Sequence, residues 1–386
     1  MSRRRLGLRK RLALNIFSEL YASTVREHRL DTLFWECTLR CNLSCRHCGS
    51  DCRVERHELR TLFWECTLRC NLRCGHCGSD CTASPDCQDM PAEDFFRVLD
   101  RQITPRVDPH RVMVVLSGGE VLVRADLEEA GAEVTRRGYP WGMVTNGMAL
   151  TPERFGRLLD AGLKSVSVSL DGFEREHNYI RGNPRSYDRA LEAVRMIVRE
   201  PSLSYDVVTC VTGAMVPQLE AFRDMLLSEG VRHWRLFSIF PMGRAKNDPT
   251  LRMTDAQFRE MLEFIRRTRQ EGRIEVSYAC EGFLGGYEAE VRDHFYQCAA
   301  GVSVASIRVD GAISGCTSIR ANYHQGSIYR DRFWDVWQNR FEPFRDREWA
   351  RRGECADCSM FRYCQGGGMH LRGDDGELLY GHYRRL

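Results

Sequence analysis

From about residue 58 onward the chain alternates between short apolar runs and helical stretches, and this pattern restricts the fold more than any other feature. The apolar runs at 62–64, 112–116, 142–145, 165–169, 205–209 and 234–239 read as strands. Between them, 91–99, 125–137, 152–161, 187–199 and 216–229 read as helices, the first opening on Pro91, where a missing N–H costs nothing. Such alternation builds a parallel α/β sheet, and six strands suit an open or closed barrel. The strands end in Ser117-Gly118-Gly119-Glu120, Thr145-Asn146-Gly147, Leu170-Asp171-Gly172 and Pro241-Met242-Gly243. Ligands of parallel α/β folds sit at the carboxyl ends of strands, so these turns are expected to line a site.

The first strand runs into Cys70, Cys74 and Cys77, a C-x3-C-x2-C loop. Three thiolates can hold three irons of a 4Fe–4S cluster and leave the fourth iron open. Taken alone, the spacing also suits a zinc knuckle. Residues 32–52 repeat 61–81 at an offset of 29, differing only at Ser44/Arg73 and Arg46/Gly75, so Cys41, Cys45 and Cys48 form a loop of equal chemistry. The second copy leads directly into the helix at 91, whereas using the first would loop out 29 residues. Cys70, Cys74 and Cys77 are therefore the expected ligands.

Composition narrows the class. The 386 residues, 43% apolar, suffice for two or three domains. Eighteen cysteines cluster at 37–81 and toward the C-terminus, and the basic N-terminus has no export-type apolar segment. This points to metal ligation in a reducing cytoplasm rather than a disulfide framework. The net charge is +3 and only Lys10, Lys164 and Lys246 are lysines among 56 basic residues, which argues against nucleic-acid binding. Leu8, Leu12, Ile16 and Leu20 recur every four residues and predict an amphipathic helix packed on the body, with membrane-surface contact the less favoured reading. No apolar run approaches membrane-spanning length.

The loop Cys70-Asn71-Leu72-Arg73-Cys74-Gly75-His76-Cys77, followed in order by Gly118-Gly119-Glu120 and by Ser169 with Asp171, resembles the radical S-adenosylmethionine (SAM) enzymes over about residues 58–245. The resemblance implies a partial (β/α)6 TIM-like barrel of α/β class. It implies that Gly118, Gly119 and Glu120 hold the SAM amino group, that Thr145 and Asn146 form the third strand end, and that Ser169 and Asp171 lie near the ribose and carboxylate. Arg181 would pair with the SAM carboxylate and His76 would neighbour the adenine. Each has a plainer alternative: a strand-to-turn break at Gly118-Gly119-Glu120, a turn pair at Ser169 and Asp171, a surface ion pair for Arg181, a packed turn for His76. Val121 departs from the family, which usually has Pro there.

Cys298, Gly311 and Cys316, then Cys355-x2-Cys358-x5-Cys364, resemble the SPASM domain, an auxiliary-cluster cap. This implies one auxiliary 4Fe–4S cluster on Cys355, Cys358 and Cys364, with Cys298 and Cys316 as candidates for a second. The family's next cysteine is Gly368 here, and no cysteine follows Cys364. A fourth donor is left open between His370, His382, Cys280 and a substrate thiol; a structural zinc site is the alternative. The expected organisation is a basic helix at 1–28, the extra cysteine loop at 29–57, the core barrel at 58–245, a linker region at 246–289 and a smaller Cys-rich SPASM-like domain at 290–386. The chain is also similar to a SPASM subfamily encoded beside small lipoproteins. The implied function is reductive cleavage of SAM to a 5′-deoxyadenosyl radical that abstracts hydrogen from a peptide or small lipoprotein, fed by an external one-electron reductant. The alternatives are a small-molecule substrate or a non-catalytic zinc or redox module.

Overall fold

The computed structural model describes residues 7–27, 58–81, 88–279 and 281–386. The first cysteine loop (Cys41, Cys45, Cys48) and Cys280 lie outside the described residues. Six strands, β1 (Thr61–Thr67), β2 (Met113–Gly118), β3 (Trp141–Thr145), β4 (Leu163–Ser169), β5 (Ser204–Val211) and β6 (His233–Ser238), lie side by side in chain order, all parallel. The helices are α1 (Leu8–Glu27), α2 (Ala92–Val98), α3 (Leu127–Arg136), α4 (Pro152–Asp160), α5 (Glu174–Arg181), α6 (Ser186–Val198), α7 (Leu219–Ser228) and α8 (Asp255–Glu271). Local sequence explains their starts. Thr151 caps α4 ahead of Pro152, and Thr254 with Gln257 closes a capping box on α8. Alternate strand residues such as Val114, Leu116, Val166, Val168 and Val207 are fully buried under the helices, and Trp64 of β1 stacks on Phe95 of α2 at 4.4 Å.

The sheet is larger than the six strands read from the sequence. β7 (Glu275–Tyr278) adds parallel to β6 at one edge, and β8 (Val304–Ile307) adds parallel to β1 at the other. β9 (Ala312–Ser314) and β10 (Gly326–Ser327) extend that edge antiparallel. The C-terminal region is thus continuous with the barrel sheet. A four-residue strand such as β7 is too short to announce itself by periodicity; β8 falls within 302–309, which reads as a short β-like piece, but its pairing with β1 is not visible in sequence.

Two helices depart from expectation. α5 was not anticipated because EREHNYIR has no apolar stripe; its buried residues are His177, Ile180 and Arg181. α1 forms as expected but docks the other way round. Leu8, Leu12, Ile16 and Leu20 are 85%, 60%, 53% and 62% exposed. Leu14 is buried instead, with Phe17 5.4 Å from Phe295, and Lys10 pairs with Glu290 at 2.6 Å. Aromatic surface available on the C-terminal region decides the docking face, not the leucine count. No helix among the described residues is long and apolar enough to cross a membrane.

Candidate active site

The cysteine loop is the continuation of β1 and is held by the ends of other strands. Beyond β2, Gly119 N–H donates to Thr67 O at 2.8 Å and Glu120 N–H to Arg69 O at 2.9 Å. This contact explains the paired glycines. A Cβ on Gly118, whose φ is +139°, would meet Thr67 O at 1.9 Å, and one on Gly119 would meet Arg69 O at 2.1 Å. From the β6 side, Arg244 donates to Cys74 O (2.8 Å) and Cys81 O (2.9 Å), and its N–H to Cys77 O (3.0 Å). Gly75 N–H bonds Ile180 O at the end of α5, and Asn146 Nδ2 bonds Asn71 Oδ1 at 2.8 Å. Sequence reasoning missed Arg244 and Asn71. The only signal was the turn Pro241-Met242-Gly243, whose glycine sits where a Cβ would strike Cys77 O at 2.3 Å.

Cys70, Cys74, Cys77 and Cys81 pack together with Leu68, Leu72 and Met148, and all four are free thiols. Burial pushes the Cys70 thiol up to about 11, against a Leu72 N–H 3.4 Å from Sγ. Burial also raises Cys74, opposed by Arg181, whose Nη1 stands 3.9 Å from Sγ. Cys77 is held down by a hydrogen bond from the Cys81 thiol, which is itself pushed up. Cys81 was not among the expected site residues.

The strand-end residues converge on this loop. Glu120, fully buried, accepts from Thr145 Oγ1 (2.7 Å), Asn146 N–H (2.7 Å) and Leu122 N–H (3.1 Å). Burial raises its carboxyl above the ordinary value despite these donors. Asn146 Nδ2 also lies 3.9 Å from Cys70 Sγ. Asp171, past the end of β4, accepts from Arg181 Nε at 2.6 Å and from Cys210 N–H at 2.9 Å. Burial alone would raise Asp171, but the Arg181 charge overcomes it and holds the carboxyl at about 2. Arg181 therefore bridges Asp171 and Cys74. Ser169 stands half-buried at the end of β4. His76 is half-buried, its Nδ1 enclosed without a hydrogen-bond partner among the described residues, and it offers one ligand atom within 4.8 Å of those of Asp171 and Cys210. Every residue expected around Cys70, Cys74 and Cys77 falls at this one end of the sheet.

In the C-terminal region Cys355, Cys358 and Cys364 line one cavity. The chain turns sharply after Cys364, with Gln365, Gly366 and Gly367 all left-handed (φ 48°, 75° and 80°). Arg372, fully buried, brings Nη2 to 3.5 Å from Cys355 Sγ. Burial pushes the Cys364 thiol up to about 12. Burial raises the Cys316 thiol, with the nearby Cys298 a smaller contributor. At Gly368 a cysteine would not fit as placed: its Cβ would meet His370 Cε1 at 2.6 Å and Glu281 O at 2.9 Å.

Residues 64–226 match the Radical SAM superfamily, and residues 298–359 match the SPASM iron–sulfur cluster-binding domain. The chain is therefore a radical SAM enzyme with a C-terminal SPASM domain. It is 26% identical over 350 residues to the AdoMet-dependent heme synthase of Methanosarcina barkeri, covering 86% of this chain and 89% of the relative. It is 28% identical over 361 residues to the mycofactocin maturase MftC of Mycolicibacterium smegmatis, covering 90% and 82%. Among solved structures, native anSMEcpe with bound AdoMet aligns at a TM-score of 0.66 and 17% identity over 85% of this chain and 94% of that one. Streptococcus suis SuiB bound to precursor peptide SuiA aligns at 0.62 and 15% over 94% and 84%. The cofactors of the class are SAM, a 4Fe–4S cluster in the barrel domain and auxiliary iron–sulfur clusters in the SPASM domain. The donor sets fit them: free thiols in threes, buried or half-buried, each set beside a buried arginine.

Proposed function

We propose that Cys70, Cys74 and Cys77 hold the 4Fe–4S cluster at which SAM is cleaved reductively to a 5′-deoxyadenosyl radical, and that the hydrogen donor is a peptide, such as a small lipoprotein. The observation that carries the site is that Asn146, after β3, and Arg181, at the end of α5, each reach a sulfur of the loop at 3.9 Å. In this reading the loop thiols lose their protons on binding metal, and Arg181 offsets the charge of Cys74. Glu120 uses three of its roughly four lone-pair positions on Thr145, Asn146 and Leu122, leaving one toward an ammonium group. Gly118 and Gly119 keep β1 close enough for the loop to face that carboxylate. Ser169 lies on the ribose side and Asp171 orients Arg181 toward the SAM carboxylate. His76, lying among Asp171 and Cys210, is the adenine-side wall. Cys355, Cys358 and Cys364 hold one auxiliary cluster, with Cys298 and Cys316 contributing to a second.

The mycofactocin maturase relative and the SuiB fold neighbour with its bound precursor peptide support a peptide substrate. A second reading, a small-molecule substrate, is favoured by the heme synthase relatives. An external one-electron donor in a reducing cytoplasm completes the balance, and the proposed organisation keeps a barrel at 58–245, a linker region at 246–289 and a SPASM domain at 290–386.

The test is anaerobic reconstitution followed by incubation with SAM and dithionite, assaying 5′-deoxyadenosine. Cys74→Ala is expected to abolish its formation; wild-type yield from that variant overturns the site, and a colourless, zinc-loaded protein overturns the function. Mass shifts on candidate peptides, set against metabolites, separate the two substrate readings.

A further inference from the structure

The SPASM cysteines number three at the cavity of Cys355, Cys358 and Cys364, and a cubane cluster has four irons. We infer that Nδ1 of His382 is the fourth protein ligand of the auxiliary cluster, a proposal that rests on the assignment of those three cysteines to a cluster.

His382 lines the same cavity as the three thiols and is 2% exposed. Its two ring nitrogens differ sharply. Nε2 lies 3.1 Å from Ser238 Oγ and 3.4 Å from Glu281 Oε2. Nδ1 is buried without a hydrogen-bond partner among the described residues. An enclosed polar nitrogen without a partner is costly and uncommon in folded proteins. The arrangement is the one a ligating imidazole shows. The nitrogen away from the metal donates its N–H to a carboxylate, which fixes the tautomer and leaves the other lone pair free for the metal.

The surroundings are built to hold the ring in place. Ser238 Oγ also contacts Tyr278 Oη at 2.7 Å and Glu281 Oε2 at 2.6 Å, while Tyr278 Oη bonds the same carboxylate. Ser238 N–H donates to Glu281 Oε2 at 2.9 Å. These groups are buried at the ends of β6 and β7. Gly282 packs against the ring beside Nδ1; a Cβ there would meet Nδ1 at 2.5 Å and Cγ at 2.8 Å. Rival donors fare worse. Gly368 has no room for a thiol, as His370 occupies its space. Glu354 also lines the cavity but is exposed to solvent. Cys298 shares a neighbouring cavity with Cys364 but does not line the one that holds Cys355 and Cys358.

The experiment uses full-length chain carrying Cys70→Ala, Cys74→Ala and Cys77→Ala, reconstituted anaerobically with iron and sulfide and reduced with dithionite. The protein is grown with 15N-histidine, and the readout is pulsed electron paramagnetic resonance of the reduced cluster. The expected result is a strong coupling to one histidine nitrogen that disappears in His382→Cys while the iron content stays constant. His382→Cys keeps a ligand at the position, so loss of folding does not stand in for loss of ligation; His382→Ala is expected to lose most of the auxiliary iron. A cluster without histidine coupling, or a coupling that survives His382→Cys, overturns the proposal and leaves the three-cysteine assignment standing. Iron content unchanged by Cys355→Ala overturns that assignment, and the histidine ligand with it.

Discussion

His177 shows how a single side chain reports on the site. It is fully buried between Asp171 and Ser186: Nδ1 accepts the Asp171 N–H at 2.9 Å, so Nε2 carries the proton toward Ser186 Oγ at 2.9 Å. Burial first, and then the Arg181 charge, lower it from an ordinary 6.5 to about 4. In the unfolded chain the ring takes up a proton near 6.5, whereas in the fold it resists until about 4. The unfolded state therefore binds more protons between these values, and stability falls on acidification through that window. The contribution, present in full above 6.5, is expected to shrink by about 2–3 kcal/mol between pH 7 and 4.5. Denaturant unfolding at the two pH values checks this: His177→Gln should show a pH 7-to-4.5 loss smaller by that amount. An unchanged loss would mean the imidazole is not held neutral.

At the scale of elements, the cysteine loop depends on β2 ending where the end of β1 passes over it. Gly118→Ala puts a methyl 1.9 Å from Thr67 O at a φ of +139°, a region that side chains avoid. The expected cost is about 3 kcal/mol or more, with the loop displaced rather than the sheet lost. Reconstituted Gly118→Ala should bind less iron at the Cys70–Cys74–Cys77 site while its far-ultraviolet circular dichroism stays close to wild type. Full iron retention with unchanged melting would show that the close approach is dispensable. α5 carries the same lesson. Its sequence lacks an apolar face, yet it delivers Arg181 and ends at Gly182 in the left-handed cap (φ 66°), against Arg73 O.

Across the whole molecule, the barrel and the C-terminal region are joined at β1. Glu65, fully buried on that strand, pairs with Arg320 at 2.7 Å and Arg308 at 3.4 Å, both from the C-terminal region. β8 hydrogen-bonds along the same strand. Breaking a buried ion pair from one side typically costs about 3–5 kcal/mol, because the partner charges remain enclosed. Glu65→Ala is expected to lower stability by about that amount and to expose the C-terminal region to protease first. Proteolysis that begins elsewhere, or a loss under about 1 kcal/mol, would show that the two regions are not coupled through this carboxylate.

Much of the architecture was legible in the linear chain because it rests on local signals: valine-rich runs alternate with capped helices, and Gly-, Asn- and Asp-bearing turns follow the strands. The thiol loop and the ordered turns sufficient to suggest the chemistry are short-range patterns too. What the chain alone could not supply is any property set by contact between distant segments. β7 and β8 exist because edges of a sheet accept short strands from elsewhere. α1 turns its leucines outward because aromatic residues nearly 300 positions away offer a better surface. Gly118 and Gly119 owe their identity to a neighbouring carbonyl as much as to a ligand, and Arg244 reaches the loop only after six strands have closed around it. His382 is one of four donors the sequence leaves open, and only the fold favours it: its carboxylate partner and the three thiols that line its cavity come from separate stretches of chain.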